Sequence, residues 1–134
     1  MSFKSIAIIT AIITLLLGVG YLFFGSLVIG RWQLQPTESV LLLGRRLGAF
    51  YLGLSVILFL ARSAPVSVIR TALSAGAVVI LLLLVVLGIY EFLAGHAGSG
   101  ILASVVIESL LAIGYIIVLL NDRKSSVKKP LLNK

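Results

Sequence analysis

Three ionisable residues sit where a charge is costly. Glu108 interrupts an apolar run at 101–120, and the adjacent pair Arg45-Arg46 lies just ahead of another at 47–61. A charged side chain inside a membrane span costs about 2.5–3.5 kcal/mol on insertion scales and usually needs a partner. Glu108 lies thirteen residues before Asn121, which puts it roughly 20 Å above the inner end of its helix. Arg46 lies sixteen residues before Arg62, roughly 24 Å above the same level. These heights predict an ion pair between Glu108 and Arg46 or Arg45 in the outer half of the molecule. Arg45 points about 100° away from Arg46 around the helix, so that one of the pair faces Glu108 while the other faces Glu91, Glu38 or the headgroups.

Such a pair has several chemical uses. It can lock two helices together. It can receive an anion, a proton or a polar ligand group. Two guanidinium groups can also hold a phosphate while a carboxylate acts as acid or base. A different arrangement sends the arginines to the outer headgroups and leaves Glu108 protonated. Ser104, Glu108, Ala112 and Tyr115 recur at helical spacing and form a polar stripe on one face. Glu91 and Tyr90, with His96, extend a polar entrance at the outer surface, although a single histidine in a Gly-rich loop reads first as a solvated residue. No metal cluster, phosphate loop or nucleophile motif occurs. Neither a metal site nor a cofactor is expected, and with no cysteine in the chain thiol chemistry is excluded.

The elements that must position these groups follow from composition. The chain has 134 residues, 60% hydrophobic and 11% charged, with mean hydropathy +1.24. A soluble domain is about 25% charged, so an ordinary soluble enzyme and a nucleic-acid module are both excluded. The net charge of +7 belongs to membrane topology, because the basic residues stand between apolar runs or in the C-terminal tail. Four runs are long enough to cross a bilayer as helices. The spans expected are about 6–29, 38–61, 68–92 and 100–120. Pro36, Thr37 as N-cap and Glu38 in the first turn set the start of the second. The segment 94–100 reads as a flexible Gly-rich connection, and Pro65 as a tight turn.

The fold expected is all-α: an antiparallel four-helix transmembrane bundle over residues 1–122, followed by a basic cytoplasmic tail at 123–134. Gly44 and Gly48, Ala49 and Gly53, and Ala72 and Gly76 are each four apart, the spacing that lets membrane helices approach closely. The short second and third connections predict that sequential helices are neighbours. Lys and Arg near the span ends number eight on the side of the termini and three on the other, so both termini are expected to be cytoplasmic. The basic residues from Arg123 to Lys129 suit anionic lipid headgroups.

The stretch Gly44-Arg45-Arg46-Leu47-Gly48-Ala49-Phe50-Tyr51-Leu52-Gly53, after a Pro-bearing outer loop, resembles small bacterial DoxX-like four-helix membrane proteins. The resemblance implies a four-helix bundle in the bacterial inner membrane. Some members of that group are subunits of respiratory complexes; the cysteines of some relatives are absent here. Small multidrug resistance transporters share the size and span count, but their essential Glu in the first span has no counterpart in 6–29.

The function expected is that of a non-catalytic integral membrane protein: a small subunit, a scaffold or a binder of a hydrophobic ligand, with a buried Arg-Glu pair. The alternatives are a small oligomeric transporter or channel using the same residues, and a lipid-modifying membrane enzyme. The partners expected are the lipid bilayer and either further copies of the chain or a larger membrane complex; nucleic acid is not among them.

Overall fold

The computed structural model describes residues 2–128. It is all-helical among them: α1 (Phe3–Phe23), α2 (Gly25–Gly30), α3 (Glu38–Ala61), α4 (Val68–Leu93) and α5 (Gly100–Lys128). Four of these, all but the six-residue α2, are long and apolar enough to cross a membrane. The chain is a multi-pass membrane protein. Their start signals are local. Ser2, Thr37 and Ser67 each accept a hydrogen bond from the backbone N–H three residues on, at Ser5, Val40 and Arg70, which satisfies one of the donors a helix leaves free at its start.

Two boundaries differ from expectation. The first run, expected as one helix over 6–29, breaks at Phe24, whose backbone (φ −127°, ψ 33°) leaves the helix. The chain restarts as α2 and folds back beside α3. The last helix does not stop where its apolar run stops at Leu120. It continues through the charged residues to Lys128, because Arg and Lys are good helix formers once outside hydrocarbon. The part of the basic tail beyond Lys128 lies outside the described residues.

The packing order is α3–α1–α5–α4. α1 lies against α3, α4 against α5, and the two pairs join through α1 and α5. Consecutive spans α3 and α4 barely touch, contrary to the expected neighbour rule. The reason is length: six residues, 62–67, connect them, and at about 3.3–3.6 Å per residue such a link can reach ~20 Å. The α1/α3 contact is glycine-mediated. A Cβ at Gly48 would lie 2.9 Å from the Gly18 carbonyl oxygen, and one at Gly18 would lie 3.0 Å from the Gly48 carbonyl. Gly88 plays the same part toward Val105 in α4/α5. Of the expected small-residue pairs, Gly44 and Gly48 are buried in a contact, whereas Ala49, Gly53, Ala72 and Gly76 are exposed.

The core joins three helices. Phe3, Ile6 and Ala7 of α1 pack with Leu81 of α4 and with Leu111, Ala112, Tyr115 and Val118 of α5. Polar hydroxyls tie the elements. Ser55 donates to the Ala11 carbonyl at 2.8 Å. Tyr115, fully buried, donates to the Thr10 hydroxyl at 3.2 Å, and Thr10 donates to the Ile6 carbonyl at 2.8 Å. In the outer loops, the Gly98 N–H donates to the Trp32 carbonyl at 2.8 Å. A Cβ at Gly98 would collide with the Gln33 side chain, and one at Gly100 with the Arg31 carbonyl. The glycines expected to give flexibility instead permit this loop to dock.

Candidate functional site

The close α1/α3 approach creates an aromatic cluster near the outer ends of the helices. With no side chain at Gly44, Tyr21 lies over that position, its Cδ1 3.3 Å from where a Cβ would be. Tyr51, three residues after Gly48, shares the face toward α1. The Tyr21 and Tyr51 rings stack at 6.0 Å with 17° between their planes, and Trp32 meets Tyr21 edge-on at 6.4 Å. Glu108 lies about two turns into α5 and is half-buried.

Arg45 and Arg46 are elsewhere. Both are exposed, and among the described residues no ion pair within 4 Å joins either to Glu108. The expected buried Arg-Glu pair is not formed among the described residues, and direction around the helix accounts for it. Position 46 is two residues from both Gly44 and Gly48, so it stands about 200° around α3 from the glycine face that meets α1. A phosphate clamp with Glu108 as its acid or base is consequently not assembled. The arginines face outward, about a third of the way along α3.

The remaining expected residues divide. Glu91 pairs with His96, Oε2 to Nδ1 at 2.9 Å, and Tyr90 meets the His96 ring edge-on at 6.5 Å; these residues form a local cluster at the end of α4, with no arginine in it. Ser104 is half-buried. Tyr115 belongs to the core and to the α1/α5 brace.

No family model, curated protein or solved structure matches the chain.

At the opposite end lies a charged group that sequence reasoning missed. Arg70, near the start of α4, donates from Nη2 to Asp122 Oδ1 at 2.7 Å and from Nη1 to the Ala64 carbonyl at 3.3 Å. Its guanidinium also stands 4.8 Å from the Phe3 ring centroid. The side chains are 17% and 9% exposed, so this is a largely buried ion pair, and it joins α4 to α5. In the sequence Arg70 reads as a topology charge and Asp122 as part of a stop signal. Their separation of 52 residues carries no periodic cue. The one local hint is that each terminates an apolar run on the same side.

Proposed function

We propose that this non-catalytic membrane protein binds a hydrophobic ligand by its head. Glu108 accepts an ammonium or other hydrogen-bond-donating group, and Tyr21 and Tyr51 form the aromatic wall beside it. One observation carries the reading: a half-buried carboxyl lies within a span, and no basic side chain lies within 4 Å of it among the described residues. An intramembrane carboxyl without a structural partner is a functional-site candidate by default, and the exposure of Arg45 and Arg46 supports a role for Glu108 apart from them. α3 and α4 make little contact with one another, which leaves edges of both helices to the acyl chains. They also suit a small subunit or scaffold that packs against another helix.

The proposal includes the setting. Lys4, Arg62, Arg70, Arg123 and Lys124 at one end, against Arg31, Arg45 and Arg46 at the other, support a cytoplasmic position for both termini. The resemblance of 44–53 to DoxX-like proteins supports a bacterial inner membrane.

The test is a thermal-shift series with three amphiphiles of equal chain length: an alkylammonium, an alkyl alcohol and an alkyl carboxylate. The alkylammonium is expected to stabilise the wild type most and to lose that advantage in Glu108→Gln. Equal shifts for all three in both proteins would end the reading. A second reading, a small oligomeric transporter, rests on the same carboxyl. It predicts flux in proteoliposomes that falls in Glu108→Gln, and equal flux in both proteins contradicts it.

A further inference from the structure

At the end opposite Glu108, a cavity of about 330 Å³ opens among the ends of α1, α3, α4 and α5. Lys4 comes from the first turn of α1, Arg62 and Ser63 from the turn after α3, Arg70 from the start of α4, and Asn121 and Asp122 from the charged end of α5. We propose that this cavity is a binding site for a phosphate group, such as the headgroup phosphate of a membrane lipid.

The charge balance favours an anion. Three cations, Lys4, Arg62 and Arg70, line the cavity with one carboxylate, Asp122, and that carboxylate is already engaged by Arg70. Among the described residues the two remaining cations have no acidic partner within 4 Å. Arg62 donates one N–H to the Phe59 carbonyl and lies 3.9 Å over the Phe59 ring. The stacking orients the guanidinium, while most of its five donors stay available. The Ser2 and Ser63 hydroxyls add neutral donors at the rim. The first turn of α1 also borders the cavity. Its orphan N–H groups and the positive end of the helix dipole favour negative charge.

Depth identifies the lipid as the abundant source. The lining residues follow directly on the apolar runs: Asn121 comes one residue after Leu120, and Arg62 one residue after Ala61. The cavity thus lies at headgroup level, where basic pockets between transmembrane helices receive anionic lipid heads. It depends on neither Glu108 nor the tail beyond Lys128.

The experiment uses the full chain, delipidated in neutral detergent, and measures binding in three arms. Phosphatidylglycerol and phosphatidic acid in mixed micelles form the first, phosphatidylcholine the second and inorganic phosphate alone the third. Variants are Lys4→Gln, Arg62→Gln and Ser63→Asp. None of them touches the Arg70–Asp122 pair, and circular dichroism with ligand-free thermal unfolding confirms that each folds. Tighter binding of the anionic lipids than of phosphatidylcholine is expected, weakened about fivefold by each lost charge and at least as much by Ser63→Asp. Saturable binding of inorganic phosphate with the same variant pattern, and no extra affinity for lipid, would assign the site to free phosphate. Affinity that is equal for all lipids, or indifferent to the three variants in folded protein, would overturn the proposal.

Discussion

Replacing Gly48 by alanine is expected to push α1 and α3 apart. The added Cβ would stand 2.9 Å from the Gly18 carbonyl oxygen, 3.0 Å from Tyr21 Cβ and 3.1 Å from Leu22 Cγ. The first two contacts are with backbone or with an atom fixed to it, so no rotamer change relieves them. Moving from 2.9 Å to the 3.4 Å of an ordinary contact requires about 0.5 Å of helix separation, and a gap of that size forfeits roughly a quarter of each dispersion well of ~0.15 kcal/mol. Over on the order of thirty atom pairs along the interface the loss is about 1 kcal/mol, and residual strain brings it to about 2 kcal/mol, within the usual range for overpacking. Alanine also gains about 1 kcal/mol of helix propensity over glycine, so the comparison needs a matched control. Gly76→Ala is that control, because a Cβ there meets nothing within 4 Å. Unfolding of both variants by denaturing detergent in mixed micelles, followed by Trp32 fluorescence, is expected to show Gly48→Ala less stable than Gly76→Ala by about 2 kcal/mol. Equal stabilities would refute the claim that glycine contact holds α1 to α3.

Other substitutions give separate checks. Ser55→Ala removes the buried bond to the Ala11 carbonyl and is expected to cost about 0.6 kcal/mol, the average for interhelical hydrogen bonds in a membrane protein. Ser74→Ala is expected to be neutral or stabilising in the same unfolding assay, because the Ser74 hydroxyl is fully buried with no hydrogen-bond partner. Asp122→Asn leaves the Arg70 charge without its carboxylate and is expected to cost about 3 kcal/mol; a double-mutant cycle with Arg70→Gln reads the coupling. Gly100→Ala sets a Cβ against the Arg31 carbonyl and is expected to undock the 94–99 loop, seen as faster amide exchange there.

The spans were legible because length and hydropathy are properties of the chain itself. Thr37 and Glu38 placed the start of α3 at the observed residue for the same reason, since a helix cap is a local structure. Partnerships between helices were harder. Glu108 and Arg46 were matched by height above the inner boundary, but height along two helices says nothing of direction around them. The buried faces of α3 and α5 depend on which neighbours they choose. The break at Phe24 was also hidden. It lies in an unbroken apolar run, and only the return of α2 toward Gly44, where Ile29 packs, gives the chain a reason to turn. The Gly-rich loop shows the same limit, since glycine for flexibility and glycine for close approach are the same letter.

The account stands on Glu108 working without Arg45 and Arg46. Titration of an alkylammonium amphiphile into wild-type protein, Glu108→Gln and the double variant Arg45→Gln/Arg46→Gln in nanodiscs tests this directly. The account predicts about tenfold weaker binding for Glu108→Gln, the loss of roughly one charge-assisted hydrogen bond, and wild-type affinity for the arginine variant. Binding that falls equally in both variants, or in neither, would contradict it.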